Sequence, residues 1–278
     1  MKVPMFRGCV LWWLCGLTTS LQAQIKDFSL KAQYIEGNSK VLFYAKNPGV
    51  CPIQVQISLS NPEIVADPSL VRDTLHFVVA SRLDSVVLLV LPILTETGKN
   101  LWYSHAIAYG NPAQAVDDDF QYQLPYRQGK TKLVTQGYNG RFSHQGEYAL
   151  DIKMRTGTQV CAARGGVVLE ARGDSQRGGG DASFADDANY VKILHSDGTT
   201  AIYYHLKYEG ALVGVGEQVV QGQVIALSGS TGWSTAPHLH FSVKRPMWME
   251  EVSMPTLFKS RKAEKPRSIK PWRLYKSF

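Results

Sequence analysis

His238-Leu239-His240-Phe241-Ser242-Val243 alternates polar and apolar residues with a period of two. In an extended strand, residues two apart share a face. His238 and His240 therefore project one way, and Leu239 and Phe241 project toward a core. Pro237 precedes the run directly, and Gly229-Ser230-Thr231-Gly232-Trp233 upstream of it reads as a turn. Working outward, Gly166–Glu170, Tyr190–Leu194, Ala201–Leu206 and Val224–Leu227 are further β-branched or aromatic runs separated by glycine. Hardly any stretch carries an apolar period of 3.6 residues, so the sequence predicts an all-β chain with very little helix. Arg172–Asn189, with Gly178-Gly179-Gly180 and several aspartates, has no periodicity and reads as a mobile surface loop.

The first half is β-rich too. Ile53, Val55, Ile57 and Leu59 alternate with Gln54, Gln56 and Ser58, while Val41–Ala45 and Ser85–Leu91 are strand-like runs punctuated by Asn47-Pro48-Gly49 and Asn61-Pro62. This predicts a β-sandwich-like domain over 25–115. His76 and His105 stand alone among apolar neighbours there and read as structural. Asn111-Pro112 and Asp117-Asp118-Asp119 mark a break, so 116–125 is expected to be a linker, 126–250 a second domain and 251–278 a tail.

Charge is uneven along the 278 residues. Residues 1–24 carry two cations and no acid, and 259–278 carry eight cations against Glu264, which leaves a net charge of −2 between them out of a formal total of +7. Such a body offers no broad basic face for nucleic acid. Lys2 and Arg7, an apolar run from Gly8 to Leu17 and then Leu21-Gln22-Ala23 read as a signal peptide over 1–23. No later stretch is long and apolar enough to span a bilayer, so the mature chain is expected in the periplasm or outside the cell, without an integral membrane segment. After cleavage only Cys51 and Cys161 remain, too few for a disulfide framework or a cysteine-rich metal site. The basic tail, with Trp272, Tyr275 and Phe278, reads as a solvated terminus or as a weak contact to an anionic envelope surface.

The chemistry-bearing residues lie in the second half. His144 opens a turn containing Gly146, and Asp151 lies on an apparent strand whose Leu150 and Ile152 take the opposite face. Neutral imidazole and carboxylate are good zinc ligands, and three protein ligands with one open position is the catalytic pattern. His144, Asp151 and one histidine of the His238/His240 pair would make such a site. His205 ends the run Ala201–Leu206 on the face of Ala201 and Tyr203, and beside a metal it becomes a candidate base or oxyanion stabiliser. His195, in Leu194-His195-Ser196-Asp197-Gly198, reads as a solvated turn residue.

His144…Asp151, Tyr203-Tyr204-His205-Leu206 and His238-Leu239-His240-Phe241, in this order, resemble the LytM/lysostaphin-type zinc metallopeptidases. Gly157-Thr158-Gln159-Val160, Gly214–Val219 and Gly222–Gly232 match as well, and the resemblance covers roughly Gln136 to Lys244. It implies an antiparallel β-sheet of the duplicated hybrid motif with an open groove. It implies one Zn2+ per chain on His144, Asp151 and His240, and His205 and His238 as catalytic groups flanking a metal-bound water. It also implies peptidoglycan as partner, with hydrolysis of peptide bonds in stems or cross-links. Two departures stand out: six residues separate His144 from Asp151 where many members have three, and Ser242 stands where many have Glu. A catalytically silent wall-binding or hydrolase-activating protein, and a general secreted protease, are the competing readings.

Overall fold

The computed structural model describes residues 25, 27–35, 39–70, 74–94, 101–259 and 269–278. The signal-peptide expectation over 1–23 lies outside the described residues. The chain divides into two compact units between Tyr109 and Gly110.

The first unit contains two three-stranded antiparallel sheets. One is ordered Ser29–Ile35, Lys40–Asn47, Leu83–Pro92, and the other Leu75–Val79, Ile53–Leu59, Tyr103–Tyr109. Each central strand buries alternate residues: Val41, Phe43 and Ala45 in one, Ile53, Val55 and Ile57 in the other. Phe43 meets Tyr103 edge-on with ring centroids 4.8 Å apart, joining the two sheets face to face.

An eleven-stranded sheet organises the second unit. Its main path runs Gln218–Val219, Gly166–Arg172, Asn189–Leu194, Thr200–Ala211, His238–Met247, Ala149–Lys153, Thr131–Gln136, Arg273–Lys276. The pairings along it are antiparallel. One face buries Leu150, Ile152, Val191, Ile193, Ala201, Tyr203, Leu239 and Phe241 in the core. The fold is thus nearly all β, as the patterning predicts.

Four segments depart from expectation. The stretch 116–125 packs within the second unit: Gln121–Tyr122 pairs in parallel with Leu257–Phe258, and Tyr122 and Leu124 are buried. Arg164 ties this segment down, its guanidinium 3.8 Å over the Phe120 ring and 2.7 Å from Asp197. The break signal of the aspartates masks an apolar alternation, Tyr122-Leu124-Tyr126, that buries itself. The basic tail also folds: Arg273–Lys276 forms the edge strand on Thr131–Gln136, with Ile269 and Tyr275 buried and the Tyr126 hydroxyl donating to the Tyr275 carbonyl at 2.6 Å. A ladder needs backbone and one inward aromatic, and it tolerates cations on the outer face. Arg172–Asn189 is structured as well, since Gly178–Gly179 pairs in parallel with Gly232–Trp233 and Ala182–Asp187 is a 3-10 helix capped by the Asp181 carboxylate. Finally, the strand expected to end at Leu206 runs on to Ala211.

Tyr275→Ala should cost about 3 kcal/mol. For a unit of this size that lowers the thermal denaturation midpoint by roughly 6–12 °C, measured by circular dichroism.

Candidate metal centre

The metal-competent cluster is built on cross-strand neighbours. His240 pairs with Asp151 on one side and with Tyr204 on the other, so these three stand in a row on the sheet face opposite the core. Burial of Leu239 and Phe241 fixes that orientation, and His238 shares it two residues earlier. His144 arrives from a loop whose turn is closed by its own N–H donating to the Gly140 carbonyl.

Three ligand atoms converge. His144 Nε2 lies 3.2 Å from Asp151 Oδ1, His240 Nδ1 lies 3.1 Å from the same oxygen, and the two nitrogens are 3.2 Å apart. Tetrahedral zinc with bonds of about 2.0–2.1 Å separates its ligand atoms by about 3.3 Å. A single point about 2 Å from all three atoms therefore exists. The Nδ1 of His144 is 3.1 Å from the Gly137 carbonyl and must donate to it, which leaves Nε2 as a lone pair facing a carboxylate oxygen. A proton or a metal cation can bridge such a pair, and a donor set of two nitrogens and one oxygen fits zinc.

Two more imidazoles border the cluster. His238 Nδ1 donates to the Ala236 carbonyl at 2.8 Å and turns Nε2 to within 3.6 Å of Asp151 Oδ1. His205 Nδ1 donates to the Thr231 carbonyl at 2.8 Å, and its ring centroid is 4.5 Å from that of His238. Plain alternation would point His205 into the core beside Tyr203. Instead Asn189 and Tyr190 oppose Leu206 and Tyr204, which leaves His205 as the extra residue of a bulge, at φ +63°. The bulge turns it out of the core face. Thr231 braces that turn: its hydroxyl accepts from the Asn189 N–H at 2.9 Å and donates to the Leu206 carbonyl at 2.6 Å.

Burial alone would raise the Asp151 carboxyl, but hydrogen bonds from His144 and His240 and the nearby His240 and His238 charges hold it far below the usual range. Burial opposes protonation of His144, yet Asp151 outweighs it and the pKa rises. Burial lowers His240 despite Asp151. His205 is pushed down to about 3, first by burial and then by His238 and His240, so it stays a neutral base.

Gln136 has no motif to announce it. Its Nε2 donates to Asp151 Oδ2 at 2.9 Å and to Ser143 Oγ at 2.8 Å, and its Oε1 accepts from the Phe142 N–H at 3.2 Å. It occupies the second carboxylate oxygen and anchors the loop that carries His144. Thr231 and Asn189 are equally silent in the sequence. The one signal for Gln136 is its place at the end of the strand that flanks Asp151.

The histidines outside the cluster lie elsewhere in the fold. His76 and His105 lie on strands of the first unit. His195, expected in solvent, is buried: its Nδ1 donates to the Gly165 carbonyl at 2.9 Å and its ring stands edge-on to Tyr122. The turn is exposed, but the imidazole folds inward onto the aromatic core. Cys51 and Cys161 are both buried free thiols. Among the described residues no helix is long and apolar enough to cross a membrane.

Residues 145–253 match the family model described as peptidase family M23. This stretch is an M23 peptidase domain. The match contains Asp151, His205, His238 and His240 and begins one residue after His144. The M23 domain is 45% identical over 96 residues to lysostaphin of Staphylococcus simulans, covering 34% of this chain and 17% of that protein. It is 38% identical over 93 residues to the peptidoglycan DD-endopeptidase ShyA of Vibrio cholerae, covering 34% of this chain and 19% of that one. The matches thus span less than a fifth of these relatives' length. The solved catalytic domain of lysostaphin from Staphylococcus simulans is 34% identical, with a TM-score of 0.31 over 41% of this chain and 78% of that one.

Burial lowers His195 to about 4. Below pH 6.5 the unfolded chain takes up a proton that the folded chain refuses, so stability falls as pH drops from 6.5 toward 4, by at most about 1.4 kcal/mol per pH unit for this group. His195→Gln should flatten that slope in urea titrations run across the same window.

Proposed function

We propose that this chain is an exported zinc endopeptidase that hydrolyses peptide bonds in peptidoglycan stems or cross-links. The observation that carries the reading is the convergence of His144 Nε2, Asp151 Oδ1 and His240 Nδ1, 3.1–3.2 Å apart, with the Nδ1 of His144 committed to a carbonyl. These three residues would hold the metal. Zinc bound there supplies Lewis acidity, lowering the pKa of water toward about 7 and polarising a carbonyl. The tautomers of His205 and His238 do the rest. Each spends its Nδ1–H on a backbone carbonyl, which leaves Nε2 as the nitrogen available for proton transfer, and His238 Nε2 lies 3.6 Å from Asp151 Oδ1. One takes the proton of the attacking water as general base and returns it to the leaving amine. The other flanks the developing oxyanion and would help to stabilise it. The bulge at His205 is the strained element that the reaction requires, since regular pairing would bury this ring.

The M23 family match and the named endopeptidase activity of ShyA support peptidoglycan as the substrate. The apolar run Gly8–Leu17 behind Lys2 and Arg7 supports export.

The mature chain should release fragments from purified peptidoglycan, lose that activity in chelator and regain it with zinc. Turnover insensitive to chelator, or a zinc-free protein that only binds the wall, overturns the reading, and degradation of casein in place of peptidoglycan reassigns the substrate. His240→Ala should lose the metal, while His205→Ala should keep it and lose about 10²–10⁴ in rate. Gln136→Met, which keeps the shape and removes the amide, should weaken zinc binding by about 10–100-fold in chelator competition.

A further inference from the structure

The sheet face that carries the metal cluster continues past it. Two residues after Asp151 on the same strand is Lys153, the cross-strand partner of His238. Strand alternation puts Lys153 on the face of Asp151, about 7 Å further along. Val134 pairs with Ile152 on the neighbouring strand, and the same register sets Leu133 against Lys153. A cleft of about 390 Å³ opens here, lined by Thr131, Lys132, Leu133, Lys153, Arg155 and Thr158. Leu274, the partner of Leu133 on the edge strand, is 68% exposed and gives the cleft an apolar rim.

The charge of this cleft is the unusual feature. Its lining holds three cations and no acid, in a chain whose body between residues 24 and 259 carries a net charge of −2. Among the described residues, ion pairs serve Arg164, Arg172, Arg177 and Lys192, and none serves Lys132, Lys153 or Arg155. The buried cation of this sheet, Lys192, is paired with Glu251 at 2.6 Å. Lys153 and Arg155 in the cleft are exposed to solvent instead.

We infer that Lys153 and Arg155 form an anion subsite that takes a free carboxylate of the substrate peptide, one or two residues from the bond being cut. The spacing selects this occupant. An extended peptide rises about 3.3 Å per residue, the same pitch as the strand beside it. With its scissile carbonyl at the cluster, it sets a carboxylate two residues away over Lys153. The Leu133 and Leu274 side chains then cover the apolar part of that residue. A charge-assisted bond here acts on substrate choice rather than on the chemical step, because neither cation reaches the cluster's ligand atoms.

The inference rests on the peptidase reading, and the test separates the two. The probes are two synthetic cross-linked stem peptides that differ only in having the carboxylates near the scissile bond free or amidated. Zinc-loaded full chain should show a kcat/KM about tenfold or more higher on the free acid, a preference that fades as salt is raised. The double variant Lys153→Gln/Arg155→Gln should bring that ratio close to one, with zinc content and circular dichroism intact. Lys153→Glu should turn the ratio toward the amide. Cleavage of both peptides at a ratio that is the same in the full chain and the double variant overturns the subsite and leaves the peptidase reading standing. Failure of the zinc-loaded chain to cut either peptide or peptidoglycan overturns the peptidase reading. In that case, binding of the free acid over the amide by calorimetry, lost in the double variant, still supports the cleft, and equal binding overturns it.

Discussion

Three ligand atoms converge 3.1–3.2 Å apart, a spacing that a shared proton or a metal cation can bridge, and the second unit positions them from its sheet and one loop. Two of the donors ride on adjacent strands, so their separation is set by the backbone ladder rather than by loop conformation. The third comes from a loop, and it is the loop that needs reinforcement. Gln136 provides it by gripping the loop and Asp151 at once. A site assembled on a sheet is held to tighter tolerances than one assembled on loops alone, which metal coordination requires.

The same sheet solves a second problem by breaking its own rule. Regular alternation would place His205 beside Tyr203, where an imidazole would find neither water nor partner. One extra residue shifts the phase, and the hydroxyl and carbonyl of Thr231 hold the shifted backbone and ring. The pair His205 and His238 then differ in origin but match in one respect: each donates its Nδ1–H to a backbone carbonyl. The cost of the positive φ is carried by a residue whose neighbours Tyr203 and Leu206 are fully buried.

What the sequence makes legible follows from this. Period two in His238–Val243 and around Asp151 reports faces directly, so the placement of His238, His240 and Asp151 follows from patterning. The bulge does not, because nothing local to Tyr203-Tyr204-His205-Leu206 encodes a register shift that depends on Asn189 across the ladder and Thr231 beyond it. Gln136 is invisible for a similar reason: a glutamine at a strand end is ordinary until its partner is known. The tail misleads in the opposite direction. Its cations and prolines read as solvated chain, while Ile269 and Tyr275, only two apolar anchors, suffice to make it a strand. The aspartates before Phe120 hide an inward alternation in the same way.

The edge strand Arg273–Lys276 has one more implication. It lies far along the chain from its partner Thr131–Gln136, some 140 residues earlier, the strand that ends in the glutamine that steadies Asp151. Such long-range closure is slow and comes late. A chain truncated before Arg273 therefore lacks the outer buttress of its own cluster, and the strand that carries Gln136 is left with an open edge.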